Sequence, residues 1–242
     1  MGPRSSCSAS AARRSSAARA RSSTSSRSSG RRRPRKESAD PETLGPAVVA
    51  VPSDEISEKY LQKAISETNE LGEEIARSAP EGAFPVIGSG HPLADLFMVK
   101  YGPQPAEAQE GVAYFGRAGQ AILKSLQRLR IDPLAVYGTN CIKFAGQDEE
   151  EARSQLTREL HIVQPKLVVV MGEDALAFVN SLAFPLATPI EERLGELQRF
   201  TPTIDALLVP DIDASLDDQA AKTSFWQAFK TAGAWWAELP PY

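Results

Sequence analysis

Histidine and cysteine, which often ligate metals or act as nucleophiles, are scarce in this sequence. Its two histidines, His91 and His161, have no acidic or cysteine partner at a metal-binding spacing. The two cysteines, Cys7 and Cys141, cannot form a CxxC pair, a four-cysteine metal site or a disulfide framework. The sequence therefore predicts no metal and no cofactor, and its cysteine usage is typical of a reducing compartment.

The polar residues that remain candidates for chemistry follow four apolar runs, which read LFMVK, LAVYGTN, KLVVVMG and ALLVP. Helical patterns lie between the runs, and this alternation predicts a parallel sheet covered by helices on both faces. Ligands of such sheets bind at the carboxyl ends of the strands. The predicted helices cover 116–129, 148–163, 173–182 and 216–236, and the segments that should form a site are 100–115, 139–147, 172–174 and 210–215.

Charge is divided unevenly along the chain. Residues 1–36 contain eleven of the 27 Lys and Arg residues and no Asp or Glu, so 16 basic residues face all 31 acidic residues afterwards. We expect a disordered basic tail rich in Ser, Arg and Ala over 1–40 and an N-terminal helix over 53–79. The tail has three possible interpretations. It is a segment without a role or the result of a misassigned start codon, a nucleic-acid-binding arm, or an organelle transit peptide.

The apolar pattern and the basic tail also bear on where in the cell the protein is found. No run of 18 or more apolar residues occurs, so we expect no membrane span. We predict a cytoplasmic protein, with organelle targeting by the tail as the alternative, and a monomer.

Three segments of the chain resemble a known family. They read AYFGRAGQAILKSLQRLRID from Ala113, VYGTNCIKF from Val136 and VQPKLVVVMGEDALAFV from Val163. In order and spacing they are similar to the iron-sulfur type, family four, of the uracil-DNA glycosylase superfamily. The resemblance implies a three-layer α/β/α sandwich around a four-stranded parallel sheet over 80–242. It also implies that DNA is the partner, through the pocket and the basic tail.

The resemblance assigns a base-binding pocket. Tyr114 stands where the family stacks an aromatic ring on the base, and Asn140 stands where an amide reads the polar edge of uracil. The loop after the first run, with Gly102, Pro103 and Gln104, would close around the base. Each of the two main residues has a simpler interpretation, because Tyr114 could belong to the core and Asn140 could cap a turn.

The residues that would catalyse excision are replaced. Lys100 stands in place of a family glycine and Tyr101 in place of the first catalytic acid. Counting back from Lys222 and Trp226 puts Asp211 at the position of the terminal histidine. An ionised Asp211 at about 4 Å would repel the departing uracil anion by roughly 4 kcal/mol at an effective dielectric near 20. Tyr101 and Asp211 are therefore weak catalytic candidates.

The iron-sulfur cluster has no ligands at the aligned positions. The four cluster cysteines of the family correspond to positions near Glu73, Ala76, Phe144 and Ala152, and none of these side chains can ligate iron as a thiolate. We expect the helix over 53–79 to fill the space that the cluster would brace.

These residues leave two functions open. One is excision of a deaminated base in base-excision repair by hydrolysis of the N-glycosidic bond, with a divergent active site. The alternative is a catalytically inactive relative that acts as a nucleic-acid-, nucleotide- or partner-binding module.

Overall fold

The structure is a computed structural model that describes residues 53–239. The tail predicted over 1–40 lies outside the described residues. Within them, an α/β domain is built on one six-stranded sheet with the strand order β1-β3-β2-β4-β6-β5. The strands are β1 (Ser89–Gly90), β2 (Leu96–Lys100), β3 (Val136–Asn140), β4 (Leu167–Met171), β5 (Leu197–Arg199) and β6 (Asp205–Val209).

The four central strands are the four apolar runs of the sequence. β3, β2, β4 and β6 pair in parallel, which confirms the predicted parallel sheet. The two edge strands, β1 and β5, pair antiparallel and were not predicted. They have only two and three residues, which is too short for an alternating pattern to stand out from a loop.

The helices occupy the intervals between the strands. They are α1 (Ser53–Ser78), α2 (Pro105–Glu110), α3 (Arg117–Leu129), α4 (Glu149–Val163), α5 (Glu173–Asn180) and α6 (Gln219–Glu238), with single 3-10 turns at Pro133–Ala135 and Ala214–Leu216. Side-chain caps fix two of the starts: Asp148 accepts a hydrogen bond from the Glu151 amide, and Asp218 accepts one from the Ala221 amide.

Two hydrophobic cores lie on the two faces of the sheet. Every residue of β2, β3 and β4 is buried, as expected for parallel strands covered on both sides. Successive side chains alternate between the faces. Leu96 and Met98 join the core under α3 and α6, whereas Phe97 and Val99 join the core under α4 and α5. The domain is therefore a three-layer sandwich, and α1 packs on α4 outside it.

The core under α4 encloses a buried ion pair. The Lys143 ammonium lies 2.6 Å from a Glu159 carboxylate oxygen, and the same carboxylate accepts hydrogen bonds from the hydroxyls of Thr139 and Tyr137 at 3.1 Å. Because both charges are paired and hydrogen-bonded, this cluster anchors the chain after β3 to α4.

No helix within residues 53–239 combines the length and the apolar character needed to cross a bilayer.

Candidate functional site

A cleft of about 660 Å³ opens where β2, β4 and β6 end. This is the edge at which parallel sheets bind ligands. The predicted loop residues Tyr101, Gly102, Pro103 and Gln104 line it on one side and Asp211 lines it on the other. Tyr114 and Asn140 are not among the lining residues. The seven predicted site residues therefore divide into a set on the cleft and a pair behind it.

The loop after β2 presents its side chains to this cleft. The Tyr101 ring is partly exposed and makes an edge-to-face contact with Phe178 at 6.3 Å between centroids. A Cβ added at Gly102 would meet no atom within 4 Å. Packing within the described residues therefore does not require a glycine at this position, and the loop faces open space there.

A row of side chains runs across the sheet just behind the cleft. The strand register places Asn140 beside Lys100, Lys100 beside Met171, and Met171 beside Val209. The alternation of side chains puts this row on the face covered by α3 and α6, which is also the face of Tyr114. Lys100 therefore separates Asn140 from the rest of the row.

Tyr114 lies over this row. Its hydroxyl contacts the Met171 sulfur at 3.5 Å, and its ring centroid lies 5.8 Å from the Lys100 ammonium. The ring packs on Gly138, where an added Cβ would fall 2.6 Å from it. The backbone of Tyr114 adopts a φ of +60°, which is unusual for an aromatic residue. Burial, and then the charge of Glu107, raises the pKa of its phenol well above the ordinary value.

Lys100 is the most unexpected residue of the site. Only 1% of its surface is exposed, and its ammonium lies 2.7 Å from a Glu107 oxygen and 2.6 Å from an Asp213 oxygen. The Asp213 side chain is 13% exposed, so the pair with Glu107 is the more deeply buried one. A cation at such a depth is stable only when it is paired in this way.

Glu107 organises the surrounding backbone. It is 0% exposed, although acids in loops are usually solvated. One of its oxygens accepts hydrogen bonds from the Gln104 amide at 2.7 Å and from Lys100, and the other accepts one from the Tyr114 amide. Its carboxylate therefore ties together β2, the start of α2 and the segment of Tyr114. Its position three residues after Gln104 is a helix-capping spacing, which is the signal that could have identified it.

Asn140 has a buried amide without a partner. It is 0% exposed, and neither its amide nitrogen nor its amide oxygen finds a hydrogen-bond partner among the described residues. Leaving such a group unpaired costs about 1–3 kcal/mol, and folded proteins contain few of them. Asn140 therefore does not cap a turn, and its amide is free to bind a ligand that reaches it.

Asp211 borders the cleft, and among the described residues no ion pair joins its carboxylate to Lys100. Its carboxylate accepts a hydrogen bond from the Asp213 amide at 2.9 Å, and its carbonyl accepts one from the Ser215 hydroxyl at 2.6 Å. Burial raises the pKa of the Asp211 carboxyl, which the Asp213 amide partly offsets. Of the two acids in this segment, Asp213, two residues further on, is the one that pairs with the buried lysine. Counting back from α6 could not distinguish the two acids of the DIDAS segment.

The cleft carries a strong negative charge. Its lining includes five carboxylates and one cation, Lys100, whose charge is already balanced by Glu107 and Asp213. The carboxylates are those of Glu173, Asp174, Glu192, Asp211 and Asp213. Such a surface repels phosphate groups and any anionic leaving base.

The positions of the family's cluster ligands do not fit an iron-sulfur cluster. Glu73 and Ala76 are exposed on α1, while Phe144 and Ala152 are buried apolar residues. Within residues 53–239 no group of three or more His, Cys, Asp or Glu side chains could hold a metal ion. α1 packs on α4 with Leu71 and Ile75 buried.

Known proteins are similar to this chain in sequence. A family model described as the uracil DNA glycosylase superfamily matches residues 87–230. A type-4 uracil-DNA glycosylase of Sulfurisphaera tokodaii is 28% identical over 105 residues, 40% of this chain and 48% of the relative. A second type-4 uracil-DNA glycosylase, from Archaeoglobus fulgidus, is 22% identical over 159 residues, 61% of this chain and 80% of the relative. The chain thus spans about half of the first relative and most of the second.

Proposed function

Because the chain belongs to the uracil-DNA glycosylase superfamily, we propose that it is a nucleic-acid-binding member that does not excise uracil. In this proposal the Lys100 side chain fills the position between Asn140 and Tyr114 where a base would bind. The supporting observation is the buried cluster of Lys100, Glu107 and Asp213, in which Lys100 both lines the cleft and lies beside Asn140 in the strand register. The two relatives are named type-4 uracil-DNA glycosylases, and the resemblance places Lys100 where that family has a glycine.

Steric closure is the first argument. A base read by Asn140 and stacked on Tyr114 would have to lie on the sheet face between them. The Lys100 side chain lies there instead, beside Asn140 in register and within 5.8 Å of the Tyr114 ring. Two ion pairs hold its ammonium in place. Displacing it would leave two largely buried carboxylates without a counterion, which costs several kcal/mol.

Electrostatics is the second argument. Breaking the glycosidic bond places negative charge on the leaving base, so the site must supply a donor or a cation. The cleft supplies carboxylates instead. One ionised carboxylate at about 4 Å disfavours the anion by roughly 4 kcal/mol at an effective dielectric near 20, about a thousandfold in rate. Lys100 does not compensate, because two carboxylates already neutralise it.

A glycosylase assay combined with a binding assay tests the proposal. Single-stranded oligonucleotides with one uracil, hypoxanthine or xanthine are incubated with excess protein, and abasic sites are revealed by alkali. We expect no strand breaks. Fluorescence anisotropy with the same strands and a thymine control should show binding of equal affinity, because no base is read. Alkali-labile sites that appear with the wild type and disappear with Asn140→Ala would refute the proposal.

One observation favours excision as the second candidate function. The Asn140 amide keeps both its donor and its acceptor capacity unused in a fully buried position. Excision requires Lys100 to leave the pocket when DNA binds, so that Asn140 and Tyr114 can hold a base. In that case Lys100→Gly would raise the excision rate, and the matched change Lys63→Gly on exposed α1 would not.

A further inference from the structure

We propose that a basic groove between α3 and α6 binds the phosphodiester backbone of single-stranded nucleic acid. This inference rests on the proposed function and locates its binding surface away from the acidic cleft. The groove measures about 410 Å³. Arg117, Lys124 and Arg128 line it on α3, and Lys222 and Trp226 line it on α6.

Helical spacing aligns the three basic residues of α3. Arg117, Lys124 and Arg128 are separated by seven and four residues and therefore share one face of the helix. The opposite face is buried through Ala118 and Ile122. No Asp or Glu occurs in the thirteen residues of α3, whereas a solvated helix face ordinarily mixes both signs.

The groove keeps a positive charge inside an acidic domain. Asp217 pairs with Arg117 at 2.5 Å, with both side chains exposed, and the Lys222 charge also acts on it. Lys124 and Arg128 form no ion pair within the described part of the chain. The lining of the groove thus contains four cations and no carboxylate, while residues 37–242 contain 16 basic and 31 acidic residues. Clustered Lys and Arg attract phosphates by releasing their counterions.

An aromatic surface accompanies the charges. The Arg128 guanidinium lies over the half-buried Trp226 ring at 4.7 Å. Unpaired bases stack on aromatic rings and on guanidinium planes, whereas the bases of a duplex are already stacked. The combination of cations and a stacked Arg-Trp pair therefore fits a single strand better than a duplex.

The groove and the cleft share one turn of the chain. Ile212 and Ser215 line the groove, while Asp211 and Asp213 of the same turn line the cleft. A strand bound in the groove therefore passes the rim of the cleft without placing its phosphates among the carboxylates. The proposed function needs such a path, because the cleft itself repels the backbone.

Charge removal from the groove is the decisive test. The full-length triple variant Lys124→Ala, Arg128→Ala, Lys222→Ala is compared with the wild type and with a control triple variant on exposed α1, Lys59→Ala, Lys63→Ala, Arg77→Ala. Binding of a labelled thymidine oligonucleotide is measured by anisotropy over a salt series. We expect the groove variant to bind at least about tenfold more weakly, with a log–log salt slope shallower by about 2. The control should stay within about twofold.

A second variant separates stacking from charge. Trp226→Ala should weaken binding of the single strand roughly fivefold or more. Binding of a matched duplex should change little, and Trp226→Phe should retain most of the affinity. Circular dichroism establishes that each variant is folded, and a variant that is not folded is replaced by Trp226→Leu.

The outcomes distinguish this inference from the proposed function. Wild-type affinity in the triple groove variant would overturn the groove while leaving nucleic-acid binding intact, for example through residues 1–36. Absence of binding by the wild type at low salt would overturn both. Equal affinity for polyglutamate and for the oligonucleotide would identify a general polyanion surface and would also overturn the inference.

Discussion

Replacing Lys100 by Met tests whether the buried ammonium holds the site together. The change keeps a flexible apolar stem but removes the charge that lies 2.7 Å from Glu107 and 2.6 Å from Asp213. Removing one partner of a buried ion pair costs about 3–5 kcal/mol, because the remaining charge is left uncompensated. For a domain of this size each kcal/mol shifts Tm by about 2–4 °C, so we expect a loss of roughly 6–20 °C.

A compensated variant identifies the origin of that loss. Adding Glu107→Gln and Asp213→Asn to Lys100→Met removes the stranded carboxylates, and replacing a whole buried ion cluster by neutral groups is often tolerated. Urea unfolding followed by tryptophan fluorescence should return the triple variant to within about 2 kcal/mol of the wild type. Lys63→Met, on an exposed helix face, should change stability by less than about 0.5 kcal/mol.

Two results would contradict this reasoning. The first is a Lys100→Met variant within about 1 kcal/mol of the wild type, which would mean that the ammonium is not needed to balance buried charge. The second is a triple variant no more stable than Lys100→Met, which would mean that the loss comes from packing of the lysine stem rather than from its charge.

The remaining predictions concern pH, thiol reactivity and iron. Burial raises the pKa of the Asp211 carboxyl above its value in the unfolded chain. The folded state therefore binds more protons, and stability falls as the pH rises from the unfolded pKa to the folded pKa. Asp211→Asn should raise Tm at pH 7 and lose this advantage below about pH 4, and an equal gain at both pH values would contradict a raised pKa for Asp211. Cys141 is fully buried, and burial raises the pKa of its thiol, so in a Cys7→Ser background Ellman's reagent should react only after unfolding; rapid labelling of the native protein would oppose this. The purified protein should contain no stoichiometric iron by elemental analysis and no absorbance near 400 nm, and either signal would refute the expectation that the cluster is absent.

The central sheet could be predicted because burial on both faces leaves a strong pattern. Val168, Val169 and Val170 are all fully buried in β4, and such a continuous apolar run distinguishes a covered parallel strand from an amphipathic one. The order of runs and helices then restricts the topology. The edge strands β1 and β5 escaped prediction because pairing of two or three residues depends on their neighbours rather than on their own pattern.

The candidate site could be predicted only in outline. The rule that ligands bind at strand ends located the loop with Tyr101 and the turn with Asp211, both of which line the cleft. It did not show that the Lys100 side chain lies on the sheet face covered by α3 and α6, because the face depends on strand register and on the alternation of side chains. Nor did it show that Asp213 rather than Asp211 reaches the lysine. Contacts between residues 113 positions apart leave no trace in local spacing.

The proposed function connects the absence of a histidine from segment 210–215 with the presence of Lys100. The segment 210–215, where the resemblance placed the histidine, supplies Asp213, whose carboxylate lies 2.6 Å from the Lys100 ammonium. A protonated histidine there would repel that ammonium, whereas an aspartate stabilises it. Conversely, Asp213 without Lys100 would add negative charge beside the buried Glu107. Under the proposed function each replacement is therefore favourable only together with the other, and the buried cluster closes the base pocket with balanced charge.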